Sequence, residues 1–248
     1  MSGKLFIGTS GFAYSEWKGE FYPTDIKSDA MLKYYAERFP TVEINYTFVR
    51  HPTEKMLGKW IGDTPDGFVF ALKANRGITH MWRLKPTSKP ALDKFFASIE
   101  GLGARTGPIL FQCAPNWKAD VGILREFLAM LPEGGRYAFE FRDESCRTDE
   151  FLATLSERNA GWVVADADDY DAPLIRTAND FSYLRLRKSA YDEEALARWA
   201  KEIEALLADG VDAYVYLKHE DEARGVQFAQ ALRELVSSSS SPAPEGPA

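Results

Sequence analysis

The chain reads as an α/β protein, a single TIM-type (β/α)8 barrel with parallel strands, and that reading rests on three features. Eight short apolar runs rich in β-branched and aromatic residues recur along it. Helical patterns separate most of them, which calls for parallel strands joined by right-handed crossovers. The length of 248 residues suits one such barrel, and no linker-like stretch interrupts it.

The strands fall at Lys4–Gly8, Thr41–Asn45, Phe68–Lys73, Gly107–Gln112, Arg136–Phe141, Gly161–Ala165, Phe181–Leu186 and Asp212–Leu217. Helices are expected at Asp29–Phe39, Thr53–Ile61, Ser88–Leu102, Asp120–Leu131, Asp149–Asn159, Asp192–Ala208 and Ala223–Val236. Thr53 before Glu54, Asp149 before Phe151 and Asp192 before Glu193 act as start signals, because their side-chain oxygens can accept from first-turn amides. Asp166–Asp180 shows no helical period and is expected to be an irregular crossing after the sixth strand. An open doubly wound sheet is the main competitor, but the first strand lacks the G-x-G-x-x-G turn of its dinucleotide-binding version. The barrel is assigned to residues 1–236. The segment Ser237–Ala248 has no large apolar side chain to repay its ordering entropy and is expected to be a disordered tail.

Composition narrows the class. With 45% hydrophobic and 27% charged residues the chain is neither disordered nor membrane-spanning. The 2 cysteines, Cys113 and Cys146, form no disulfide framework, and the N-terminus runs straight into a strand without a signal peptide. A cytoplasmic location is expected. The net charge of −7 argues against non-specific binding of nucleic acid or membrane by the surface as a whole.

In a barrel, chemistry gathers where the strands end at their C-terminal side, and alternate side chains face the axis or the helices. In the second strand Val42 and Ile44 oppose Glu43 and Asn45; in the third, Phe70 and Leu72 oppose Lys73. Phe139 and Phe141 oppose Glu140 and Arg142, Leu184 and Leu186 oppose Arg185 and Arg187, and Val215 and Leu217 oppose Tyr216 and Lys218. Gln112 and Asp166 join the polar set from the fourth and sixth strands. Its charges are Glu43, Glu140 and Asp166 against Lys73, Arg142, Arg185, Arg187 and Lys218, three negatives to five positives. Such charges need partners. They form either an internal ion-pair network or a site whose surplus positive charge awaits a phosphate or carboxylate.

The aromatic loop after the first strand, with Ser10, Tyr14 and Trp17, is either a stacking wall over the mouth or a lid that plugs the barrel with its own small core. His80 follows the third strand and is placed to act as an acid or base, or to hydrogen-bond within its loop. His51, before Pro52, reads as structural, and His219 ends the eighth strand. His80, Glu140, Asp166 and His219 would be the donors of a metal site, but no H-x-H, HExxH or CxxC spacing supports one. Cys113 has helix-facing parity and reads as a buried small hydrophobe. Glu43 and Glu140 are the only glutamates on the mouth face, and an arginine-rich setting keeps both ionised, which suits pairing better than acid catalysis.

Several segments together resemble one family. Gly8-Thr9-Ser10-Gly11-Phe12 with Tyr14, Trp17 and Phe21-Tyr22-Pro23 is similar to its opening signature. Val42-Glu43-Ile44-Asn45-Tyr46-Thr47-Phe48 is similar to its second motif, and Phe68–Lys73 with Ile78-Thr79-His80 to its third. Gly107-Pro108 with Leu110-Phe111-Gln112, Phe139-Glu140-Phe141-Arg142 and Tyr183-Leu184-Arg185-Leu186 follow in order. This is the domain of unknown function 72 (YecE-like) family, and the resemblance runs from about Leu5 to Val236. It implies a TIM-barrel-like fold and supplies no reaction. Two departures stand out: Asp143-Glu144-Ser145-Cys146 replaces the usual H-x-S-W, and Lys218-His219 replaces an Asn-Asn pair.

The expected function is an enzyme acting on an anionic substrate, with Lys73, Arg142, Arg185 and Arg187 holding the anion. Glu43 or Glu140 would be the base and His80 the acid. Ser10, Tyr14, Trp17, Asn45, Gln112, Asp166, Lys218 and His219 would line the substrate. The alternatives are a non-catalytic module binding nucleic acid or a phosphorylated ligand, and a metal-dependent hydrolase or isomerase. No motif specifies a cofactor or an oligomeric state.

Overall fold

The computed structural model describes residues 2–171, 174–218 and 223–239. Its strands are β1 (Leu5–Thr9), β2 (Thr41–Ile44), β3 (Val69–Lys73), β4 (Thr106–Gln112), β5 (Tyr137–Glu140), β6 (Gly161–Ala167), β7 (Tyr170–Asp171), β8 (Phe181–Arg187) and β9 (Asp212–Leu217). Its helices are α1 (Met31–Ala36), α2 (Tyr46–Val49), α3 (Glu54–Gly62), α4 (Lys89–Ile99), α5 (Val121–Ala129), α6 (Asp149–Glu157), α7 (Glu193–Ala208) and α8 (Arg224–Ser239). All strands but β7 run parallel in the order β1-β9-β8-β6-β5-β4-β3-β2, a nearly closed barrel with helices between the strands. The short β7 folds back antiparallel on β6 and supplies part of the irregular crossing.

The barrel closes without a ladder between β1 and β2. They meet at one bridge, Ser10 to Glu43, and the Tyr35 hydroxyl fills the gap below it. That hydroxyl accepts from the Thr9 amide at 2.8 Å and donates to the Thr41 carbonyl at 3.1 Å. Gly8 permits this approach, since a Cβ there would collide with the Thr41 carbonyl oxygen.

Helix starts follow the capping residues. Thr53, Asp120 and Asp192 each accept a first-turn amide with their side chains. At α6 the cap is Thr148, one residue earlier than expected, because Thr148 is extended while Asp149 already lies in the first turn. There the Asp149 charge complements the positive end of the helix. Three further differences matter. The second strand ends at Ile44, one residue before the expected Asn45, and the second motif runs on into α2. Gly77–Met81 forms a π-turn, followed by Arg83 and Leu84 at φ 52° and 63°. The last helix continues past Val236 to Ser239, so the predicted tail begins inside it; residues 240–248 lie outside the described residues.

Apolar side chains divide into two cores. The outer one packs Phe111, Phe139, Phe141 and Trp162 against the helices, with Phe111 and Phe139 stacked at 5.0 Å. The inner one, inside the barrel, contains Ala71, Leu110, Ala138, Val163, Tyr183, Tyr214 and Tyr216. Small side chains on β3 and β5 leave the axis open for the long side chain of Arg185.

Candidate functional site

Arg185 leaves the inner face of β8 and bridges two buried carboxylates. Its Nε and Nη2 donate to Glu43 Oε2 and Oε1 at 3.0 and 2.8 Å, and its Nη1 donates to Glu140 Oε2 at 2.6 Å. All three side chains are at most 2% exposed. The Tyr183 hydroxyl donates to Glu43 Oε2 at 2.8 Å, and Gln112 Nε2 donates to Glu140 Oε1 at 2.6 Å. Asn45 Nδ2 adds a 3.3 Å bond to Glu43 Oε1. Burial alone would raise the Glu43 carboxyl, but the Arg185 guanidinium and its hydrogen bonds hold it at about 2. Glu140 is lowered in the same way, burial being outweighed by Arg185 and Gln112. Burial opposes the charge on Arg185, yet Glu43 and Glu140 raise its pKa.

The other cations are differently placed. Arg142 Nε lies 3.9 Å from Glu140 Oε1, and the side chain is 38% exposed at the rim. Arg187 is half-buried and makes no hydrogen bond or ion pair to any described residue. Burial and the neighbouring Arg185 lower its pKa. Lys73 is also half-buried and without an ion pair among the described residues, and its Nζ sits 4.1 Å over the Phe48 ring. Burial, reinforced by Arg185, pushes the Lys73 amine down to about 8. His80 meets the same Phe48 ring edge-on at 5.1 Å and shares a 2.9 Å hydrogen bond with Thr79 through Nδ1. Burial, Lys73 and Arg83 lower its pKa. Lys218 is half-buried at the end of β9, and His219 lies outside the described residues.

Two predicted members part from this set. Asp166 faces the helix layer, where its carboxylate pairs with Lys188 at 2.8 Å and accepts from Trp199 Nε1 at 3.1 Å. The alternation along β6 puts Val163 inside the barrel and Val164 outside, and Asp166 follows Val164. Without it the described residues of the mouth include two carboxylates, Glu43 and Glu140, against Lys73, Arg142, Arg185, Arg187 and Lys218. Trp17 is fully buried in a small aromatic core with Tyr14, Phe21 and Tyr22, so its ring is not part of a stacking wall over the mouth. Tyr14 remains half-buried. Its hydroxyl donates to the Ser10 carbonyl at 2.8 Å, and burial with the Glu43 charge raises its pKa to about 12. Gly11, at φ +99°, makes room for that ring. Ser10 Oγ is buried and has no hydrogen-bond partner among the described residues.

The four imagined metal donors are not assembled, since Asp166 and Glu140 face opposite sides of the barrel wall. Among the described residues no group of three or more His, Cys, Asp and Glu is arranged to hold a metal ion. Cys113 and Cys146 are free and buried, and His51 pairs with Ser98 at 3.2 Å. Two participants stand outside the expected site set, Phe48 under Lys73 and Tyr183 beneath Glu43. Alternation already puts Tyr183 on the face of Arg185 and Arg187, whereas Phe48 is marked only as the end of the second motif. Beside the mouth, Tyr14 and Asn45 border a groove of about 280 Å³ with Phe12, Tyr46, Met56 and Trp60.

Fold and site together define a class: a parallel (β/α)8 barrel whose mouth holds a buried Glu–Arg–Glu network beneath surplus cations. The chain belongs to the family described as "Protein of unknown function DUF72", which matches residues 6–248. It is 28% identical over 178 residues to UPF0759 protein YunF of Bacillus subtilis, an alignment covering 66% of this chain and 61% of that one. The chain therefore spans less than two thirds of that relative's length. A DUF72 family protein of Thermotoga maritima shares the fold at TM-score 0.83 and 24% identity, covering 94% of this chain and 99% of that one. Another from Enterococcus faecalis does so at 0.76 and 16%, covering 95% and 98%. Among the described residues no helix is long and apolar enough to cross a membrane.

Proposed function

We propose that the barrel mouth is an anion site and that the protein is an enzyme acting on a small substrate bearing a phosphate or carboxylate. The observation that carries this reading is Arg187, a half-buried guanidinium with neither hydrogen bond nor ion pair among the described residues. Desolvating such a group costs several kcal/mol unless an anion completes it, and a guanidinium fork matches phosphate or carboxylate oxygens. Lys73 and the rim residue Arg142 add positive charge nearby, and Ser10 Oγ offers a buried hydroxyl with no partner among the described residues.

Glu43 and Glu140 take the structural role in this reading. A carboxylate held at about 2 is a feeble base at neutral pH, so the pair orients Arg185 and balances its charge. Proton transfer then falls to His80 and Lys73, which share the Phe48 platform. A nucleic-acid stacking wall has less support, because Trp17 and Tyr22 turn into the protein. We also propose a cytoplasmic setting, supported by two free, buried cysteines.

Isothermal titration with inorganic phosphate and phosphorylated metabolites tests the site. Binding is expected, with Arg187→Ala weakening it by about tenfold or more while the variant stays folded by circular dichroism. No binding, or equal affinity in the variant, overturns the reading.

A further inference from the structure

We propose that Lys73 is a nucleophilic amine and that the substrate of this mouth carries an aldehyde or ketone carbonyl, held as an imine on Nζ. The inference rests on the anion reading above and names the substrate class further.

The geometry begins with what Lys73 lacks. Lys188, on the far side of the barrel wall, has Asp166 at 2.8 Å. Among the described residues Lys73 has no carboxylate within ion-pair reach, although Glu43 and Glu140 share its mouth. Their oxygens are taken: Glu43 by Arg185, Tyr183 and Asn45, Glu140 by Arg185 and Gln112. On one side of the amine is the Phe48 face, at 4.1 Å. The Arg185 and Arg187 guanidiniums oppose an ammonium charge there, while the Glu43 and Glu140 carboxylates favour one.

The balance shifts the amine toward its free form while the ammonium still predominates at neutral pH. Burial first, then Arg185, bring the group to about 8, against the usual 10.5. At neutral pH that leaves on the order of 100-fold more unprotonated amine than an ordinary lysine holds. The lone pair attacks the carbonyl carbon, and the carbonyl π pair moves onto oxygen. Both N–H hydrogens of the neutral amine then leave with that oxygen as water, and a C=N bond replaces C=O. No oxidant or reductant takes part.

The test uses the full chain with glycolaldehyde phosphate or glyoxylate, trapped with sodium cyanoborohydride and mapped by peptide mass spectrometry. Lys73 is expected to be modified about tenfold faster than any other lysine, with a rate rising through pH 8. Lys73→Arg keeps the charge and must lose the adduct. Absence of a Lys73 adduct, or modification spread evenly over the lysines, overturns the proposal. Titration with inorganic phosphate separates the two readings. Phosphate binding without a Lys73 adduct removes the imine and leaves the anion site. Equal trapping by neutral glycolaldehyde with no phosphate binding removes the anion site and the substrate class, leaving the amine.

Discussion

Arg185 and Arg187 are two residues apart on one strand, face the same mouth, and have opposite surroundings among the described residues. Arg185 is saturated by two carboxylates; removing it would strand both of them in the interior. Arg185→Ala is therefore expected to lose about 3–5 kcal/mol in urea unfolding. Replacing Glu43 and Glu140 with Gln in the same variant should recover part of that loss, because no buried charge is then left unpaired. Arg187→Ala should cost little stability and act on binding. The carboxylates also set an acid limit. The folded Glu43 value of about 2 lies below the ordinary 4.5, so its stabilisation is complete above 4.5 and is lost as pH falls toward 2. Glu140 shifts in the same direction. Urea midpoints should stay level near neutrality and drop below pH 4.5; a midpoint unchanged to pH 3 would contradict the assignment.

At the level of elements, the seam between β1 and β2 depends on a side chain where the other neighbours have a ladder. Tyr35→Phe would leave the Thr9 amide and the Thr41 carbonyl without their shared partner. The expected cost is about 1–3 kcal/mol, with faster hydrogen exchange at the Thr9 amide than at amides of β8. The wall of β6 gives a second test. Asp166 ties β6 to Trp199 of α7 and to Lys188, on the side away from the mouth. Asp166→Asn should lower thermal stability yet leave phosphate affinity within about twofold, since the change lies outside the site. A large loss of affinity would place Asp166 in the mouth after all.

Across the whole molecule the net charge of −7 and the cationic mouth coexist because they sit in different dielectric settings. Surface carboxylates face water and are screened, whereas Arg185 is buried and Lys73, Arg187 and Lys218 are half-buried. A ligand that binds only the folded chain must raise its stability. Phosphate at about 100 times its Kd should add roughly 2.7 kcal/mol, read as a shift of the thermal midpoint that disappears in Arg187→Ala. Raised ionic strength should weaken this shift.

Most of the barrel was readable in the sequence. Strand alternation and helix period are local, so Leu184 and Leu186 announced that Arg185 and Arg187 point inward, and Thr53 and Asp192 marked helix starts. The same alternation correctly brought Glu43, Lys73, Glu140 and Arg185 to one mouth. It misplaced Asp166, because Val163 and Val164 give β6 no polar face from which to set the register. Only the tertiary structure decided which cation each carboxylate holds. Parity tells a residue which face it occupies, but pairing depends on reach across the barrel axis. Arg185 spans that axis past the small side chains of β3 and β5 and takes both carboxylates, so among the described residues Arg187 and Lys73 are left with none.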